Sequence, residues 1–151
     1  MEKNRINPLA IYPFSWDNSD TMSERVEYWL KLCNEDLLTA KGLFQIKRYQ
    51  HMGFFCHMIA EKALKAMVAR KTGKLPPRIH ELGELAVLGG IRESLSKEQM
   101  MLLNKLNPLQ IDARYPDDEE TQIPELTPTE SEQLLKETEE FLCWIKQQLE
   151  K

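Results

Sequence analysis

The stretch QHMGFFCHMIAEKALKAMVARKTG, residues 50–73, decides how the chain folds. Phe54, Phe55, Met58, Ile59, Ala63, Ala66 and Met67 recur in it with the three- and four-residue period of an α-helix. The apolar stripe is wide, as in a central helix, expected here over about residues 50–72. Gly73, with Pro76 and Pro77 beyond it, ends the helix: glycine accepts the left-handed turn after a helix, and proline cannot continue one. A helix with so broad an apolar surface needs other helices around it, and the flanking sequence supplies them.

Upstream, Thr21 and Glu24 have the spacing of a capping box, in which each side chain satisfies a backbone N–H that the first helical turn leaves open. Val26, Trp29, Leu30, Cys33, Leu37, Ala40 and Phe44 then share one face, and the helix is expected to reach about Lys47. Downstream, a short helix is expected over about Ile79–Leu88, carrying Leu82, Leu85, Ala86 and Leu88, before Gly89 and Gly90 break it. Ser96 and Gln99 make a second capping box, followed by Met100, Leu103 and Leu106 up to Pro108. Thr127 caps a last helix, with Pro128 at its first position and Glu130 closing the box; Leu134, Leu135, Thr138, Phe141, Leu142, Ile145 and Leu149 form its buried face. No alternating strand pattern occurs. The expected fold is all-α, an antiparallel up-and-down bundle of four to five helices over residues 21–151. Residues 1–20 form an irregular N-terminal arm whose Ile11, Tyr12, Phe14 and Trp16 are expected to pack on the domain or on a second subunit. Residues 108–126, with three prolines and a run of four acids, read as an ordered loop, and loops of this length often carry function.

With 151 residues the chain can bury one core, and its 42% hydrophobic and 29% charged content excludes a disordered class. The formal net charge of −4 gives no overall attraction to nucleic acid, so duplex DNA is not an expected partner. Charge is segregated: residues 61–78 hold six basic side chains against one acid, and residues 116–140 hold ten acids against one base. Such segments read either as solvated faces at opposite ends of the bundle or, for the basic one, as a seat for a phosphate-bearing ligand. Cys33, Cys56 and Cys143 are odd in number and widely spaced, which argues against a disulfide framework and for a reducing, cytoplasmic setting. No apolar run approaches the roughly 18 residues needed to span a bilayer.

Familiar chemical motifs are missing. His51, Cys56, His57 and His80 lack metal-ligand spacing, because the adjacent Cys56 and His57 point about 100° apart on a helix; no metal is expected. His57 reads as a half-buried interface residue. There is no glycine array leading into Lys-Ser or Lys-Thr, and no Gly-x-Ser-x-Gly. Two clusters remain. In residues 60–82, Glu61 and Lys65 lie one helical turn apart and can pair, either as a solvated surface pair or as part of a site that also takes in Lys62, Arg78 and His80. In the long loop, Asp112, Arg114, Tyr115 and Asp117 combine a guanidinium fork with a stacking face, suited to a nucleotide or RNA end, or to anchoring the loop itself.

Asp36-Leu37 with Ala40, then residues 60–66 (AEKALKA), Pro77-Arg78 with His80-Glu81-Leu82, and Ala113-Arg114-Tyr115-Pro116 form an ordered series. The series resembles the HEPN (higher eukaryotes and prokaryotes nucleotide-binding) domain family over roughly residues 22–149. The resemblance implies a helical bundle that forms a homodimer with a cleft at its interface and needs no cofactor. Many members are metal-independent RNases or toxins, often encoded with a small nucleotidyltransferase partner, as in toxin–antitoxin pairs; others bind nucleotides. The RNase signature is an Arg, four to six residues, then a His. Arg114 matches the Arg, but residues 115–121 contain no His, and Arg78 has His80 only two residues on. The resemblance therefore points to a non-catalytic module that binds a nucleotide or partner protein, with Lys62, Lys65, Arg78, Arg114 and Tyr115 as ligand-binding residues and Asp36 and Glu61 in support. The alternatives are an RNase with Arg114 and a non-adjacent His80 as catalytic pair, and an interaction subunit whose basic helix docks an acidic protein.

Overall fold

The computed structural model describes residues 21–110 and 125–151. The N-terminal arm, and the part of the long loop that holds Arg114 and Tyr115, lie outside the described residues. Five α-helices follow one another: α1 (Met22–Gln45), α2 (Tyr49–Thr72), α3 (Leu82–Leu88), α4 (Lys97–Leu106) and α5 (Pro128–Leu149). Short 3₁₀ turns at Arg92–Ser94 and Asn107–Leu109 precede and follow α4. All regular structure among the described residues is helical, and no described helix is long and apolar enough to cross a membrane.

The three capping boxes form as their spacing dictates. Thr21, Ser96 and Thr127 each accept from the backbone N–H three residues on, and Glu24, Gln99 and Glu130 each reach back to the cap. Helix α1 ends in a Schellman turn, with Lys47 N–H donating to the Phe44 carbonyl and Arg48 N–H to that of Leu43. This turn puts Lys47 at φ 60°, the left-handed region where glycine is the usual residue. At the end of α2, Gly73 (φ 67°) takes that conformation without a side chain to clash.

Helix α2 is the axis of the molecule and is buried nearly all round. Trp29, Cys33 and Ala40 of α1 cover one side, and Leu134, Phe141, Leu142 and Ile145 of α5 another. Leu82 and Leu85 of α3 and Leu102, Leu103 and Leu106 of α4 close the rest. Paired residues give the directions. Arg25 bonds to Gly73 and Cys33 to Ile59, so α1 and α2 are antiparallel. Lys41 pairs with Glu139 and Lys146 with Asn34, so α1 and α5 are antiparallel too. α5 therefore runs with α2, because α3 and α4 carry the chain back to the start of α2. The Arg70 guanidinium reaches the Gln148 and Lys151 carbonyls, which places the basic end of α2 beside the C-terminus of α5.

Candidate functional site

Gly53, His57, Glu61 and Lys65 recur every four residues along α2, a stripe that drifts about 40° per step around the helix. The connection between α2 and α3 lies against the upper part of this stripe. His57 is 2% exposed, and its Nε2 lies 3.0 Å from the His80 carbonyl. A carbonyl only accepts, so Nε2 carries the proton. Burial pushes the His57 pKa down, opposed by the Glu61 charge. One turn on, Glu61 Oε1 makes a short contact with Nδ1 of His80. A carboxylate likewise only accepts, so Nδ1 donates; the His80 side chain is about half exposed.

The same Glu61 oxygen is 3.8 Å from the Lys65 ammonium. Here the ion pair is no solvated one, for both side chains are only about a tenth exposed. Lys65 also stands 6.0 Å from the centroid of the Trp29 ring on α1, a cation–π distance. Its pKa is pushed down, chiefly by loss of water; Glu61 resists this, while the positive charges of Lys62 and Arg78 add to it. Arg78 itself is exposed. Lys62 belongs elsewhere: its ammonium is 2.5 Å from Asp36 of α1, a half-buried bridge that pins α1 to α2.

The helix expected from Ile79 begins at Leu82, because His80 is held on α2 and Glu81 is the cap. The Glu81 carboxylate accepts from the N–H groups of Gly83 and Glu84. Asn107, where the chain leaves α4, ties in here: its Oδ1 accepts from Leu82 N–H at 3.0 Å and its Nδ2 donates to Glu81 at 2.9 Å. Leu109 and Leu126 meet at Gly53, where an added Cβ would stand 3.2 and 2.9 Å from them. Both ends of the long loop thus root on the side of α2 that carries His57, Glu61 and Lys65. A groove of about 800 Å³ opens between α4 and α5 beside Leu109 and Leu126. Glu130, Glu132 and Glu137 line it together with Lys105 and Lys136, so its charge is mixed.

Among the described residues no group of three or more potential metal ligands comes together. Cys33 and Cys56 are buried thiols whose pKa is pushed up to about 12 by loss of water, which makes them poor nucleophiles. Of the residues read from the sequence, Glu61, Lys65 and His80 come together, the exposed Arg78 acts on Lys65 through its charge, Lys62 and Asp36 form the neighbouring bridge, and Arg114 and Tyr115 lie outside the described residues. His57, read as a half-buried interface residue, is an anchor of the site. Its signal was the four-residue step to Glu61.

A family model for the HEPN domain matches residues 26–148. The chain belongs to the HEPN domain family. No curated protein and no solved structure matches it. The HEPN match takes in all five helices apart from the ends of α1 and α5, and so the whole Glu61–His80 cluster.

Proposed function

We propose that the chain is a HEPN module that binds a nucleotide or the end of a single-stranded RNA without cleaving it. The ligand sits on the face made by Lys65, Arg78, His80 and the loop bearing Arg114 and Tyr115. The observation that carries this reading is the Asn107 bridge, which roots that loop one residue from His80. Seven residues separate Asn107 from Arg114, a reach of up to about 24 Å, whereas Gly53 and Glu61 are about 12 Å apart along α2. We assign Arg114 and Tyr115 to this face. The Arg114 fork would clamp a phosphate, and Tyr115 would offer a base a stacking surface. In keeping with the family, the module is a homodimer and works with a small nucleotidyltransferase. Calorimetric titration with nucleotides and short RNAs tests the reading. Saturable binding, weakened by Arg114→Ala, is expected; no heat from any of them leaves only the role of a subunit docking an acidic protein.

A second reading has one observation in its favour. Glu61 holds the His80 ring through Nδ1, as a carboxylate orients a general base. A metal-independent RNase using His80 with Arg114 would cleave RNA in the presence of a chelator, and either His80→Ala or Arg114→Ala would abolish cleavage. Intact RNA after prolonged incubation with the wild type removes this reading.

A further inference from the structure

An apolar corner of α3 stands open at the end of the bundle where the N-terminal arm joins it. We propose that the arm docks there on its own chain, with Phe14 and Trp16 on Val87 and Leu88, and with Asp17 and Asp20 beside Lys71 and Lys74. The inference is independent of the nucleotide-binding reading.

Three observations lead to it. First, α3 buries Leu82, Leu85 and Ala86 but leaves Val87 60% and Leu88 37% exposed. A β-branched residue has no advantage over a polar one in an exposed helical turn, so helix propensity does not account for Val87. Two adjacent apolar side chains in water favour a cover. Second, the arm enters the bundle beside this corner. Met22 Cε would stand 3.5 Å from a Cβ on Gly73, and Arg25 donates to the Gly73 carbonyl at 3.3 Å, so Thr21 lies at the Gly73 end of α2. At the same end α3 closes on α2: a Cβ on Gly89 would stand 3.0 Å from that of Met67, and one on Gly90 2.6 Å from Lys71 Cδ. Met67 and Gly73 are about 9 Å apart along α2, and the stretch from Trp16 to Thr21 spans up to about 17 Å. Other open apolar places are too far for Trp16. Leu38 lies about 24 Å down α1 from Met22, and the groove at Leu109 and Leu126 about 30 Å down α2 from Gly73.

Third, the charges match. Lys71 and Lys74 are exposed, and neither pairs with an acid among the described residues. Asp17 and Asp20 follow Trp16 and precede Thr21, so the part of the arm that must pass Gly73 brings two negative charges to two positive ones. Docking covers Val87 and Leu88, and it removes Lys71 and Lys74 from the surface open to an anion.

Chymotrypsin digestion of the full native chain, with cleavage after Phe14 and Trp16 read by mass spectrometry, tests this. Cleavage should be at least about tenfold slower than in a free peptide of residues 1–20, because the protease cuts only the undocked arm. Val87→Ser should speed it about tenfold, as the loss of one buried valine gives. Lys71→Gln combined with Lys74→Gln should speed it about threefold. Leu38→Ser removes an exposed apolar residue beyond the reach of Trp16 and should leave the rate unchanged. Thermal unfolding checks that each variant is folded. Cleavage as fast as in the peptide, or equal in the wild type and Val87→Ser, overturns the proposal, and so does a rate raised as much by Leu38→Ser. Protection that fades on dilution overturns it as well, because the arm would then sit on a second copy.

Discussion

Glu61 is the residue on which the site turns, since one oxygen faces both a lysine and a histidine in a nearly dry setting. Removing its charge leaves Lys65 ionised beside a ring and no carboxylate. Breaking a buried pair costs about 3–5 kcal/mol, and the remaining solvent contact puts Glu61→Gln near the lower end, about 3 kcal/mol. Urea denaturation measures it; a loss below about 1 kcal/mol would mean that Trp29 and water suffice for the ammonium. His57 gives a pH dependence of known sign. Its folded pKa lies below the unfolded value of 6.5, so the folded chain binds fewer protons between the two. Stability contributed by this group is complete above 6.5 and falls as pH drops through 6.5 toward the folded value. Between pH 7 and 5.5 the wild type should therefore lose more stability than His57→Gln, whose amide still donates to the His80 carbonyl. Equal losses would contradict burial of an uncharged ring. At this scale only half the site was legible. The Glu61–Lys65 spacing is visible in the chain, but an identical pair occurs on countless solvated helices. What covers it is the contact of His80 with Glu61 and of the Trp29 ring with Lys65, between segments far apart in the chain that no local pattern encodes.

The helices were far more legible, because a cap and a period are local. Thr21, Ser96 and Thr127 mark three starts to the residue, each through a hydrogen bond confined to one turn. The exception is α3, which loses its expected first turn: His80 is claimed by α2 and Glu81 must be extended to cap. Tertiary contacts thus overrode a pattern that was only seven residues long in its final form. The turn between α1 and α2 offers a test of the opposite sign to most substitutions. Lys47 holds a left-handed conformation inside a complete Schellman turn, and its side chain is exposed. Lys47→Gly removes the steric penalty and keeps both hydrogen bonds. The strain relieved, about 1 kcal/mol, exceeds the added entropy of an unfolded glycine, so a gain of about 0.5 kcal/mol is expected. Thermal unfolding would show it as a melting point raised by about 1–3 °C for a chain of this size; a lowered midpoint would mean that the lysine makes a contact worth more than the strain.

Under the proposed reading, the division of charge over the whole molecule limits how long a nucleic acid it can hold. Its charge of −4 is divided, with the basic residues of α2 at the end where α5 finishes and the glutamates of α5 toward the other end. A long strand lying along the bundle would leave the cations and cross the acids, so contact is confined to a ligand of a few phosphates. The number of phosphates neutralised fixes the salt dependence. Lys65, Arg78 and Arg114 can neutralise at most three, and each displaces about 0.7 counterion from a single strand. The plot of log affinity against log salt should then have a slope of about −2. The slope should steepen little when the RNA is lengthened from a tetranucleotide to a twenty-mer, because beyond the basic end of α2 the strand meets the glutamates of α5. Filter binding or fluorescence anisotropy between 50 and 300 mM salt, in the range of about 0.05–0.3 M where such slopes are linear, supplies the measurement. A slope that steepens steadily with length would overturn this confinement to the basic end of α2.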